Sequence, residues 1–418
     1  MLAAHVALVA LLVGTQSFFT ALAVQNLRHS AAAVDRERDW LEEELGIEDA
    51  GRLHDYHRLT TGLGQLRSWL GLGVLLLGLY SGAYADAVAT VDGLGLGAVA
   101  EGVVFLLGLS VAVAVFSLPF DVVDTFVVDE LFDFNRQGVR LWLRDTAVSL
   151  AVGGVITTVL AAAVLAFVAL LGPWWWVAGW LFFVAFALAM NVLYPRVIAP
   201  LFNEFVPVEA GELREAVQGV FERAGFECEQ VYTMDASRRS SRVNAYFVGF
   251  GRTKRVVLFD TLVDRLDLEA VQSVLAHELA HWQRAHVWKL LAGESLRMLA
   301  LFAALGYLVG ADWVYAMFDL DASFVAAGLV LGLVWLAPLT AWTSPLSNRL
   351  SLRFEREADR FAVEVMGSGD GLIDALADLA RENLANPFPH PWYEAFHYSH
   401  PPVPERIRAI RERDAEVA

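Results

Sequence analysis

A single cysteine, Cys228, occurs in 418 residues, so no internal disulfide braces the chain. Lysine is almost as scarce: Lys254 and Lys289 are the only two, and arginine carries nearly all the positive charge. Basic residues are missing ahead of Arg28. The first apolar run, Ala4 to Val24, therefore lacks the charged leader of a signal peptide, although Ala21-Leu22-Ala23 resembles a cleavage site; it is expected to remain as a first membrane helix. No internal repeat is apparent, and no pair of broken hydrophobic segments marks the midplane site of a transporter.

What is abundant is apolar. Hydrophobic residues make up 56% of the chain, with 13 Trp and 26 Phe, which exceeds the usual share in a soluble enzyme and predicts a membrane protein. The formal charge is nevertheless -17. An acid excess with so little lysine suits a surface that works in very high salt, where carboxylates stay hydrated and charges are screened, so a halophilic host is expected. Seven runs are long enough to cross a bilayer: Ala4 to Val24, Trp69 to Val91, Gly97 to Phe116, Ala147 to Leu171, Trp174 to Tyr194, Leu290 to Val309 and Phe324 to Trp342. Arginines crowd the connections after the first, third, fifth and seventh runs and are absent from the N-terminus and the other connections. By the positive-inside rule this places the N-terminus outside and the C-terminus in the cytoplasm of a multi-pass cell-membrane protein. Glu101, Asp145, Glu294 and Arg297 fall in or beside the runs. Glu294 and Arg297, three apart, can pair with each other; alternatively these groups face a hydrated interior.

The organising motif is His277-Glu278-Leu279-Ala280-His281-Trp282. Histidines four apart lie on one helix face, where two imidazoles can hold a single zinc ion while Glu278 beside them serves as general base for a water. Gln272, Gln283 and Arg284 on the same helix argue against a site deep in lipid, as in an intramembrane site-2-type protease. Because no Pro or Gly intervenes before Gly293, this helix, starting near Asp267, is expected to run straight into the sixth span, which puts the site on the cytoplasmic side near the membrane surface. On such a helix His286 falls on the far side and is a poor ligand. The better candidate for a third ligand lies after the seventh span, where Glu355 and Asp359 are four apart; one carboxylate can bind zinc and the other can orient a ligand histidine. Upstream, Glu212 to Ala224 reads as an amphipathic helix, and Gln230 to Met234, Val243 to Val248 and Arg255 to Phe259 as short strands, the last two joined by a turn from Gly249 to Thr253.

The ordered set His277-Glu278-x-x-His281-Trp282, Phe354-Glu355-x-x-Ala358-Asp359 and His397-Tyr398-Ser399-His400-Pro401-Pro402 resembles the type I CAAX prenyl endopeptidase family, in its haloarchaeal form given the composition. Phe134 to Gln137, Pro200 to Asn203 and Asn244 to Phe247 extend the likeness over nearly the whole chain. The resemblance implies one Zn2+ per chain on His277, His281 and Glu355, with Glu278 activating the water and Asp359 supporting a ligand. It implies that His400 and Arg406 help to bind the peptide and stabilise the tetrahedral intermediate, and that Asn244, Ala245, Tyr246 and Phe247 form an edge strand that takes the substrate. Its fold would be membrane α-helical: seven transmembrane helices with a zincin-type α+β metalloprotease domain, enclosing a hydrated chamber.

The expected activity is zinc-dependent hydrolysis of peptide bonds in a protein substrate that is prenylated or otherwise membrane-associated, in contact with the lipid bilayer and without nucleic acid. A general quality-control protease of membrane proteins is the alternative; a non-catalytic membrane protein with a structural zinc fits less well, because a structural site closes its fourth position with another side chain. The expected organisation is residues 1–198 with spans one to five, 199–289 as the soluble zinc part, 290–345 with spans six and seven, and 346–418 as a helical C-terminal part carrying the third ligand.

Overall fold

Apolar runs with no water to satisfy their backbone must satisfy it internally, and each becomes a helix. The computed structural model describes residues 1–226, 230–248 and 255–417. The first half holds α1 (Leu2–Arg36), α2 (Ala50–Tyr80), α3 (Ala98–Val123), α4 (Val139–Leu171) and α5 (Trp175–Leu193). A small sheet domain follows: β1 (Phe205–Pro207), α6 (Glu212–Arg223), β2 (Val231–Met234), β3 (Ala245–Val248), β4 (Arg255–Phe259) and α7 (Leu268–Gln283). The chain then returns to the bundle through α8 (His286–Val309) and α9 (Val325–Met366) and ends in α10 (Asp370–Glu382), α11 (Pro391–His397) and α12 (Val403–Val417).

Among the described residues, six helical stretches are long and apolar enough to cross a membrane: 2–36, 50–80, 98–131, 139–202, 286–309 and 325–366. Val111, Val113 and Val115 on α3, Val155 on α4 and Leu296 on α8 are exposed, an apolar surface suited to lipid. The fourth and fifth expected spans form one stretch, interrupted at Gly172–Trp174 by a 3-10 turn. Gly172 there has φ 49° and ψ -126°, a conformation that a side chain resists, and the two limbs pack against each other. The second expected span differs more. Its helix starts at Ala50, well before Trp69, and stops at Tyr80; Gly82, at φ 90°, then separates it from a short helix, Ala83–Asp92.

The sheet has the order β1-β2-β4-β3, with β2 and β4 parallel and both outer pairs antiparallel. β3 is thus an edge strand, in register Ala245 opposite Leu258 and Val248 opposite Arg255. The expected turn from Gly249 to Thr253 lies outside the described residues, and β1, a three-residue strand, had no visible pattern. One core joins this sheet to the zinc-motif helix and the C-terminal helices: Val220 and Phe221 of α6, Leu258 of β4, Leu275 and Leu279 of α7, Ala362 of α9 and Ile407 of α12 are all almost fully buried. A second core, including Leu8, Phe105, Leu305 and Leu331, holds the membrane helices.

The polar groups of the spans are paired. Glu294 accepts from Arg297 at 2.6 and 2.8 Å, and Glu101, in the first turn of α3, accepts from the N–H of Leu96 in the preceding loop at 3.0 Å. Asp145 accepts from Arg144 and from Arg239, whose guanidinium also reaches Asn203 at 3.0 Å. Together with Arg136 N–H to Arg239 O and Ser241 N–H to Phe134 O, both 3.0 Å, these contacts clamp the segment leading into β3 to the membrane loops.

Candidate metal centre

Helix α7 starts at Asp267, whose carboxylate accepts from the Ala270 N–H at 2.8 Å, a cap worth about 1 kcal/mol. Ala276, Leu279 and Ala280 on this helix are fully buried, and α7 packs closely against α9. The packing carries Glu355 to the two histidines. His277 Nε2 lies 3.3 Å from His281 Nε2 and 3.3 Å from Glu355 Oε2, and His281 Nε2 lies 3.2 Å from Glu355 Oε1. Bonds of about 2.0–2.1 Å to a tetrahedral ion separate its ligand atoms by about 3.3 Å, so the three groups already stand at the spacing of a zinc site.

The donor set also fits a cation chemically. His277 Nδ1 is 2.9 Å from Asp359 Oδ1, an acceptor only, so Nδ1 carries a proton and Nε2, facing Glu355, is the nitrogen left for a metal. Glu355 is almost fully buried, and its Oε2 has no hydrogen-bond partner. Burial lowers the pKa of His277, yet the flanking carboxylates of Asp359 and Glu355 push it up to about 9, so the pair of acids draws positive charge to this ring. Arg406 donates to both oxygens of Asp359, at 2.9 and 2.6 Å. The resemblance implied a peptide-facing Arg406; the structure places its guanidinium behind His277, against Asp359.

Glu278, half-buried beside the histidines, is pushed above the usual carboxylate range by burial, with His277 and His281 pulling the other way. That suits a proton acceptor working near neutral pH. His400 approaches from the open side: its Nε2 is 3.5 Å from Glu355 Oε1 while 63% of its side chain stays exposed. The Asn244–Phe247 segment lies nearby. Phe247 of β3 stacks on Trp282, the neighbour of His281, with ring centroids 6.5 Å apart. Phe259 N–H donates to Asn244 O, so ladder alternation turns the N–H and C=O of Ala245 and Phe247 toward the free edge, where the Ala245 N–H donates to Asn244 Oδ1 at 2.8 Å.

The expectation that α7 runs unbroken into the sixth span is wrong. The helix ends at Gln283, Ala285 adopts a left-handed φ of 57°, and α8 begins at His286. The bend turns His286 back toward the site instead of to the far side: its Nδ1 lies 3.3 Å from His281 Nδ1 and its Nε2 3.2 Å from Glu357. Neither His286 nor Glu357 stood out as a site residue, because an alanine in the left-handed region leaves no compositional mark.

Comparison with known proteins agrees with this geometry. Residues 28–204 match the CAAX prenyl protease N-terminal family, described as five membrane helices, and residues 207–414 match peptidase family M48. The CAAX prenyl protease 1 homolog of Oryza sativa subsp. japonica is 34% identical over 313 residues, covering 75% of this chain and 73% of that one. The CAAX prenyl protease 1 of Saccharomyces cerevisiae is 33% identical over 337 residues, covering 75% and 72%. A crystal structure of S. mikatae Ste24p superposes with a TM-score of 0.80 at 27% identity, over 95% of this chain and 98% of that one. Read with the ligand cluster on α7 and α9, these likenesses establish that the chain belongs to peptidase family M48, in its CAAX prenyl protease branch of multi-pass membrane metalloendopeptidases.

Proposed function

We propose that this chain is a zinc endopeptidase that cleaves membrane-associated proteins near a prenylated C-terminus. The observation that carries the reading is the convergence of His277, His281 and Glu355 at 3.2–3.3 Å beside the free edge of β3. Bound Zn2+ would supply Lewis acidity, lowering the pKa of a water and polarising the scissile carbonyl. Around it, His277, His281 and Glu355 hold the ion, Asp359 fixes the His277 tautomer, and Arg406 fixes Asp359. The Glu278 carboxylate takes a proton from the attacking water and returns it to the leaving nitrogen. His400, reaching in from the exposed side, donates a hydrogen bond to the oxygen that becomes negative.

The surrounding fold is read as a zincin-type α+β unit set against seven membrane crossings, with α4 and α5 counted as two limbs of a hairpin. α5, at 19 residues, is roughly 28 Å long, about one bilayer core. Glu294 and Arg297 keep about a third of their side chains exposed, 38% and 31%, which favours a hydrated chamber over lipid on that side of α8. The arginine pattern puts the N-terminus outside and the site on the cytoplasmic side.

Cleavage of matched prenylated and unprenylated peptides by the detergent-purified protein at high salt tests the substrate class. Selective cleavage of the prenylated peptide is expected. Equal cleavage would reassign the protein to general membrane proteolysis, and none at full zinc loading would overturn the enzymatic role. An extended peptide adding to β3 gains affinity through main-chain hydrogen bonds. Ala245→Pro deletes one edge N–H, which donates to Asn244 Oδ1 at 2.8 Å until a peptide displaces it, from a position where proline is tolerated, so KM should rise about three- to tenfold with zinc content unchanged. An unaltered KM would remove β3 from the substrate path. The acid excess further predicts that the thermal midpoint rises from dilute buffer to molar KCl; a midpoint that falls would count against a halophilic source.

A further inference from the structure

The proposed ligand His277 has an evident support in Asp359, but His281 has none of that kind: no carboxylate or backbone oxygen among the described residues accepts from its outer nitrogen. What lies there is a second histidine. His286 is fully buried, stacked on Phe354 with ring centroids 4.2 Å apart and planes 6° from parallel, and its Nδ1 is 3.3 Å from His281 Nδ1. On its other side, His286 Nε2 is 3.2 Å from Glu357 Oε2, and Arg353 donates to the second oxygen of that carboxylate at 2.9 Å.

We propose that Glu357 and His286 form a positioning relay that sets the tautomer and ring orientation of His281 for the metal. The proton assignments follow one from another. Glu357 can only accept, so His286 carries its proton on Nε2, and its Nδ1 can only accept. His281 must then donate from Nδ1, which leaves His281 Nε2 bare and facing Glu355 and His277. Outer contacts of this kind raise the basicity of a ligand imidazole and hold its plane. The left-handed turn at Ala285 is what brings His286 into reach. The two ligand histidines thereby receive separate supports from one helix: Asp359 serves His277, and Glu357, two residues earlier on α9, serves His281 through His286.

The inference rests on the assignment of His277, His281 and Glu355 as ligands, and zinc affinity tests both. The full-length protein in detergent is stripped of metal and its Kd for Zn2+ measured by competition with a chromophoric chelator. His286→Phe keeps the stacking on Phe354 but offers no acceptor, and zinc affinity should fall about 10- to 100-fold. His286→Asn restores an acceptor near the position of Nδ1 and should recover most of that loss. Glu357→Leu, at the partly exposed end, is a second variant independent of folding around His286 and should also weaken binding. Wild-type affinity in either His286→Phe or Glu357→Leu overturns the relay, as does an equal loss in the Phe and Asn variants, which would mark a packing role. His281→Ala separates the two levels: it should abolish binding, and wild-type affinity there would sink the ligand assignment itself, not the relay alone.

Discussion

Glu278→Gln is expected to keep a full complement of metal and to lose about 10²- to 10⁴-fold in kcat. The substitution is nearly isosteric and leaves His277, His281 and Glu355 untouched, so the 3.2–3.3 Å spacing of the ligand atoms has no reason to change. It removes the carboxylate placed beside the two histidines to accept and return a proton, since an amide does neither near neutral pH. The upward push that burial gives the Glu278 carboxyl makes it a better acceptor than an exposed carboxylate, so its loss should show in the chemical step rather than in binding. Single-turnover cleavage alongside metal analysis is the appropriate check. Undiminished turnover by a zinc-loaded Glu278→Gln protein would remove Glu278 from the mechanism.

How far the chain could be read without its structure depends on the kind of constraint. His277 and His281 were legible because spacing on a helix is local, and α7 begins with its cap at Asp267, next to the expected start. Glu355 and Asp359 were legible as a pair for the same reason, but which of the two met the metal was not. That choice is made where α9 crosses α7, a contact between residues some 80 positions apart, and before that only a family resemblance separated them. Strand β4 appeared with its expected bounds because Arg255 to Phe259 carries a short continuous apolar run, Val256-Val257-Leu258, buried on both faces of the sheet, whereas β1 is too short to carry a pattern. The errors cluster at bends. Gly82 breaks a helix within apolar sequence where hydropathy alone sees continuity, and Ala285 breaks one with no glycine at all, whereas the interruption at Gly172 falls between the expected fourth and fifth spans. The last of these hid the whole His286–Glu357 contact, since a straight helix would have carried His286 away from His281.

Asp359→Leu should damage the protein in two separable ways. Asp359 and Arg406 are nearly buried, with 8% and 10% of their side chains exposed, and they are joined by two hydrogen bonds. Removing the carboxylate strands the guanidinium in a low-dielectric interior, a loss of about 3 to 5 kcal/mol that should appear as a lower thermal midpoint of the metal-free protein in detergent. It also deprives His277 Nδ1 of its acceptor, so zinc binding should weaken independently. The double variant Asp359→Leu/Arg406→Met divides the two effects. Replacing both charges with apolar groups of similar volume should return most of the thermal stability, because a buried ion pair contributes little beyond what its own desolvation costs. Zinc affinity should stay low, because nothing in the double variant fixes the His277 tautomer. If affinity returned together with stability, Asp359 would be a structural partner of Arg406 with no part in holding His277. If neither returned, the pair would be anchoring α12 to α9 in a way that apolar packing cannot replace, and the metal site would depend on that junction rather than on one carboxylate.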